Sequence, residues 1–256
     1  MEVENLSFSY DKKQQKKILD NISLHLPKGK ITTFLGANGC GKSTLFQLMT
    51  KNLLPDSGII RLEGKDIYPI DQKKFAKKVA VVHQYNQTAP DITVEKLVSY
   101  GRTPHLSMFG IRGKEDYDCI DWAMEVTNTA KFREQEVSRL SGGQRQRVFI
   151  AMALAQKTDI LFLDEPTTYL DIRYQIELLE MIRCLNQEYQ ITIVMVLHDM
   201  NHAIYYSDEI IGLKDGKVLV QGNAQEVVTT ECIEEIYGIR LMVSSLEDKK
   251  VVMTIR

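Results

Sequence analysis

Gly36-Ala37-Asn38-Gly39-Cys40-Gly41-Lys42-Ser43 fits the pattern G-x-x-x-x-G-K-[ST]. Ahead of it, Ile31 to Leu35 reads as a buried strand. Behind it, Lys42 to Leu54 places Leu45, Phe46, Leu48 and Met49 at helical spacing. Strand, glycine-rich loop and helix in that order predict an anion nest, because the glycines let successive N–H groups turn inward and the helix N-terminus extends the positive pole. Lys42 is then expected to reach the β and γ phosphates of a nucleotide, with the Ser43 hydroxyl on a Mg²⁺ that bridges them. A tight turn with a helix cap is the plain alternative, and kinases, small GTPases and motors share the spacing.

Two further stretches narrow the field. The first is Leu140-Ser141-Gly142-Gly143-Gln144, which those classes do not share. It stands where a helix from Gly142 through Ala155 begins, so Ser141, Gly142 and Gly143 make a second anion-binding N-terminus. The second is the apolar run Ile160-Leu161-Phe162-Leu163, which ends in Asp164-Glu165 and delivers both carboxylates to the carboxyl edge of a strand, where open α/β sheets bind ligands. Asp164 is expected to hold Mg²⁺ through water and Glu165 to polarise the water that attacks the γ-phosphate. Carboxylates that merely cap the next helix are the alternative. His198 follows the apolar run Ile191 to Leu197 and is expected at the same edge, as a γ-phosphate sensor or as a satisfied structural histidine. His25, His83, His105 and His202 show no metal-ligand spacing.

The bulk numbers exclude several classes. The 256 residues are 44% hydrophobic, enough for one substantial core plus a subdomain. With 32 basic residues against 34 acidic, no global field gathers nucleic acid or acidic lipid. Cys40, Cys119, Cys184 and Cys232 have no C-x-x-C spacing, so reduced thiols in a cytosolic setting are expected, without disulfides or zinc. Met1-Glu2-Val3-Glu4 lacks a basic leader, and Ile191 to Leu197 falls far short of the roughly 18 apolar residues that span a bilayer.

Along the chain, Leu6, Phe8 and Tyr10, then Ile22, Leu24 and Leu26, alternate with polar residues and predict an antiparallel strand pair. Lys12, Lys13, Lys16 and Lys17 crowd its connection, read as a solvated hairpin loop. Pro55-Asp56-Ser57-Gly58 is expected to end the first helix. Val79 to Val82 reads as another buried strand, and Thr93 to Gln156 as helical and strand-poor. Tyr174 to Leu185 is an amphipathic helix and Ile191 to Leu197 a β-branched strand. Lys214-Asp215-Gly216-Lys217 is a hairpin signal, and Glu231 to Arg256 is ambiguous.

With the loop, the pentapeptide and the Asp-Glu strand in this order, the chain from Tyr10 to about Gly222 resembles the ATP-binding cassette ATPases. The resemblance implies an α/β fold: a P-loop NTPase core with a mostly parallel sheet, an N-terminal antiparallel β subdomain and an inserted helical subdomain. Residues 1–85 and 158–230 would form the core with the β subdomain, 86–157 the insert and 231–256 a short C-terminal extension. It further implies ATP and Mg²⁺ as cofactors, with Gly36, Asn38, Gly39, Cys40, Gly41, Lys42, Ser43 and Thr44 around the nucleotide. Tyr10 occupies the place of an adenine-stacking aromatic, with core packing beside Leu6 and Phe8 as the alternative. Gln84 resembles the glutamine that touches Mg²⁺ and the attacking water, and His198 the switch histidine. In this family Ser141, Gly142, Gly143 and Gln144 of one subunit close on the ATP held by the loop of the other, and Asp171 crosses that interface.

The implied partners are therefore a second copy of the chain, integral membrane permease subunits and, indirectly, an extracytoplasmic substrate-binding protein, with no nucleic acid. Gly101-Arg102-Thr103-Pro104-His105 and Pro166-Thr167-Thr168-Tyr169-Leu170-Asp171 look like the importer branch for ferric siderophores, haem or cobalamin. The expectation is an ATPase at the cytoplasmic face of the membrane that drives import. A soluble cassette ATPase, as in iron–sulfur cluster assembly, is the alternative, and the pentapeptide disfavours a small-molecule kinase.

Overall fold

The computed structural model describes residues 1–11, 17–107, 110–247 and 249–254, so Lys12, Lys13 and Lys16 lie outside the described residues. In chain order the elements are β1 (Glu2–Phe8), β2 (Leu19–His25), β3 (Ile31–Leu35), α1 (Lys42–Met49), β4 (Ser57–Leu62), β5 (Lys65–Asp66), α2 (Gln72–Ala76) and β6 (Val79–Val82). Then come α3 (Val94–Ser99), α4 (Lys114–Val126), α5 (Gly142–Ala155), β7 (Ile160–Asp164), α6 (Ile172–Tyr189), β8 (Thr192–Val196) and α7 (Met200–Tyr206). The chain closes with β9 (Glu209–Lys214), β10 (Lys217–Asn223), α8 (Ala224–Val227), α9 (Thr230–Tyr237), β11 (Met242–Leu246) and β12 (Lys249–Met253). Two compact units result: Met1–Ile70 with Thr192–Arg256, and Asp71–Ile191.

In the first unit an antiparallel sheet runs in the order β2-β1-β4-β5, with Leu6 opposite Ile22 and Val3 opposite Leu24. This is the strand pair that the alternation predicts. β3 pairs in parallel with β8 and with β9, and every residue of β3 and β8 is buried, Thr32, Thr33 and Thr192 included, as strands covered on both faces are. Asp215 and Gly216, at φ +47° and +73°, turn β9 into antiparallel β10 as the Asp-Gly signal predicts. The ambiguous C-terminal stretch holds α9 and the hairpin β11–β12.

Two boundaries differ from expectation. The first helix stops at Met49 rather than Leu54, because Lys51 adopts φ +61°, a left-handed conformation that no α-helix continues through. Tyr10 lies beyond β1, which ends at Phe8; the Ser9 N–H turns to the Asp56 carboxylate at 2.8 Å instead of extending the ladder.

The second unit pairs β6 with β7 in parallel, Val79 opposite Ile160, and is otherwise helical. Helix α5 begins and ends where the sequence predicts. Gly101 to His105 lie in a 3₁₀ turn that ties the helices of this unit together. Its Arg102, only 2% exposed, bonds the Asp116 carboxylate at 2.8 Å and the Ala155 carbonyl at 2.9 Å. Burial pushes the Asp116 carboxyl up, but Arg102 and the Gly113 N–H outweigh it and hold it below the ordinary value. That carboxylate therefore stabilises the fold above the unfolded pKa, and the contribution is lost as pH falls through the lower folded pKa. Arg102→Met should destabilise the protein by about 3 kcal/mol, since it strands Asp116. Urea unfolding at pH 7 should show that loss, and at about pH 3 the difference between variant and parent should shrink.

Candidate nucleotide site

The first unit carries the phosphate loop between β3 and α1. Gly36 sits at φ +156°, and a Cβ there would lie 2.5 Å from both the Cys40 sulfur and the Leu213 carbonyl oxygen, so the position is wedged against β9. Gly39 differs: it needs glycine for φ +80°, but a Cβ there would meet nothing within 4 Å, which leaves its face open to a ligand. Lys42 is buried and lies across its own loop, donating to the Gly36 carbonyl at 2.6 Å and the Ala37 carbonyl at 3.1 Å. Helix α1 has no side-chain cap and no acidic residue in its first turn, so its leading N–H groups are left for an external anion.

Around this loop, Ser43 and Asn38 are exposed, while Cys40 and Thr44 are buried. Tyr10 is 62% exposed, its ring edge-on to Phe8 at 4.9 Å and its hydroxyl 3.3 Å from the Thr44 hydroxyl. That exposure sets aside the core-packing alternative. His198 is exposed two residues past β8, and Asp199 caps α7 by accepting the His202 N–H at 2.8 Å.

The second unit holds the carboxylates. Asp164 is the last residue of β7, and Glu165 follows at φ +49°. One Glu165 oxygen accepts two hydrogen bonds, from the Gln84 amide and from the Thr168 hydroxyl, the latter at 3.1 Å. Tyr169 also has positive φ, +64°, uncommon for a bulky residue, and its hydroxyl meets that of Tyr85 at 3.0 Å. That hydrogen bond, with the charge of Glu165 behind it, raises the Tyr85 phenol above its ordinary value.

Ser141 and Gln144 cap α5 reciprocally: the Ser141 hydroxyl accepts the Gln144 N–H at 3.3 Å, and the Gln144 side chain accepts the Ser141 N–H at 3.0 Å. Gly142 is exposed, Gly143 packs on Tyr174, and Asp171 starts α6 exposed, with no cap hydrogen bond from its side chain. Sequence reading missed Thr168 and the Tyr85–Tyr169 contact, for which periodicity carries no signal. The S-x-x-Q capping box was open to view.

Among the described residues no group of three or more His, Cys, Asp or Glu forms a metal cage. Ser43 in the first unit, and Asp164 and the Gln84 amide in the second, each carry an oxygen donor of the kind that a hard cation such as Mg²⁺ takes.

A glycine nest under an uncapped helix in the first unit is the mark of a P-loop nucleoside triphosphatase. The sequence profile of the family described as ABC transporter matches residues 19–168. The chain is 44% identical over 239 residues to the Iron(3+)-hydroxamate import ATP-binding protein FhuC of Bacillus subtilis (strain 168), covering 93% of this chain and 88% of that protein. Its fold matches a solved inward-facing ABC transporter of the metal-chelate type, with TM-score 0.83 and 27% identity, over 98% of this chain and 96% of that one. It also matches the dimeric post-hydrolysis state of an ATP-binding cassette bound to ADP and Pi, with TM-score 0.72 and 27% identity, over 87% and 98% of the two chains. The chain belongs to the ABC transporter family, as an ATP-binding ATPase.

The loop geometry predicts an asymmetry between two glycines. Gly36→Ala should destabilise the fold by more than about 3 kcal/mol, because a backbone carbonyl blocks the methyl group. Gly39→Ala should cost about 1 kcal/mol, for the backbone conformation alone. Thermal unfolding of the two variants separates these values.

Proposed function

We propose that this chain is the ATP-hydrolysing subunit of an importer for ferric siderophores or related iron complexes. The observation that carries the catalytic half is the hydrogen bond from Gln84 to Glu165, which fixes a carboxylate at the carboxyl end of β7 and ties it to the start of the helical segment. Glu165 is the general base that takes a proton from the attacking water. Gln84 reports on that base: the amide that holds Glu165 would also reach a bound Mg²⁺ and the attacking water, so its position would couple nucleotide state to the segment behind it.

Lys42 leaves the carbonyls of its own loop to hold β and γ phosphates, and Ser43, Thr44 and the N–H groups from Gly36 to Gly41 surround them. Ser43, Asp164 (through water) and Gln84 would hold Mg²⁺, which would supply positive charge to the phosphates. Tyr10 stacks on adenine, and His198 hydrogen-bonds the γ-phosphate. The start of α5, from Ser141 to Gln144, and Asp171 serve the nucleotide of a second copy, so two chains enclose two nucleotides head to tail. The dimeric cassette bound to ADP and Pi supports that arrangement.

No described helix is long and apolar enough to cross a membrane. In the proposed importer, cargo passes through separate permease subunits, with the ATPase on their cytoplasmic side and a substrate-binding protein engaged only through them. The iron-import relative and the metal-chelate transporter support this reading over a soluble ATPase of cluster assembly.

Glu165→Gln should keep ATP affinity within about twofold while turnover falls by about 10³. With permease and Mg·ATP that variant should be trapped as a closed pair of ATPase subunits, and a population that stays open would contradict the sandwich. Lys42→Ala should weaken ATP binding by at least about tenfold in an equilibrium titration. Uptake of ferric chelates, haem and cobalamin in a deletion strain tests the cargo, with only the ferric chelates expected to depend on the gene.

A further inference from the structure

The C-terminal extension reaches the phosphate loop. Helix α9 ends at Tyr237, where Gly238 at φ +71° terminates it, and its inner face buries Ile233 and Ile236. Gly212 of β9 lets the helix come close, since a Cβ there would lie 2.6 Å from Ile236 Cδ1. The approach brings the Tyr237 hydroxyl to the Gly36 N–H, which donates to it at 3.2 Å across 201 residues of sequence. Burial pushes the Tyr237 phenol up to about 12, so the hydroxyl stays protonated at working pH.

Gly36 is thus gripped from both sides. Its carbonyl accepts from Lys42, and its N–H is held by Tyr237. The loop has a further anchor, the Gly216 N–H of the β9–β10 turn donating to the Cys40 carbonyl at 3.0 Å. When Lys42 swings to a phosphate, Gly36 loses its carbonyl partner, while the grips of Tyr237 and Gly216 do not depend on that lysine.

We propose that Tyr237 is a positioning residue for nucleotide binding: its hydroxyl holds the start of the phosphate loop in the binding shape while Lys42 is exchanged between loop and phosphate. This rests on the reading of residues 36–43 as the phosphate site. Without the hydroxyl, the buried Gly36 N–H has lost its acceptor and the loop must be ordered by the nucleotide itself, which lowers affinity without touching the chemistry.

The test uses the full chain and ATP titration. Tyr237→Phe, which keeps the ring, should raise the Kd and KM for ATP about fivefold with kcat changed less than about twofold. Ile233→Val loosens the same helix without touching the loop and should leave KM unchanged. Amide exchange on the unmutated protein is the second measurement: the Gly36 N–H should be protected although it sits in a loop, and Tyr237→Phe should abolish that protection. An unprotected Gly36 in the parent, an unchanged affinity in Tyr237→Phe, or an equal KM shift in Ile233→Val would overturn the proposal. Lys42→Ala keeps the two readings apart: if that variant binds ATP normally, the phosphate-site assignment fails, and the exchange result still reports on the Tyr237 contact.

Discussion

Every α-helix begins with N–H groups that its own turns cannot satisfy, and the treatment of two such ends organises this molecule. Helix α1 starts at Lys42 after a glycine, with no side-chain acceptor and no carboxylate nearby in sequence. An anion is the natural partner for that end, and the glycines before it shape the space the anion would take. Helix α5 solves the same problem differently, with Ser141 and Gln144 closing a capping box while Gly142 stays exposed beside them. One end is open and the other is half closed.

Positive charge and strain are stored near these ends. The Lys42 ammonium is buried on the carbonyls of Gly36 and Ala37, so the loop is preassembled around a cation before any phosphate is considered. Beyond β7, Glu165 and Tyr169 both hold left-handed backbone, which non-glycine residues adopt only when their surroundings over-determine it. The hydrogen bonds from Gln84 and Thr168 to Glu165, and the Tyr85–Tyr169 hydroxyl contact, are those surroundings.

Local features were legible in the sequence. Burial on both faces makes β7 an apolar run up to Asp164 and β8 one after Thr192, and the Gly142 to Ala155 helix was bounded by its cap residue and by the polar turn after it. What periodicity could not carry was either a competing local bond or a distant one. The left-handed Lys51 ends α1 early, and the Asp56 carboxylate captures the Ser9 N–H and leaves Tyr10 outside its strand. Gln84 and Glu165 are 81 residues apart, and Tyr237 and Gly36 are 201 apart, so no window of sequence contains either pair. The motifs named the chemistry of Gln84 and Glu165, but their direct contact appears only in three dimensions. Nothing in the sequence marked Tyr237.

One ATP shared by two copies of the chain is the central claim, and mixing two inactive variants tests it directly. Lys42→Ala lacks a working phosphate loop and Ser141→Arg lacks a working α5 start, so each alone should be inactive with its permease. A mixed pair contains one composite site with both parts intact, and ATP turnover measured on such pairs should return to a substantial fraction of the parent rate. Turnover that stays at the level of the separate variants, in pairs shown to be mixed, would contradict the shared site.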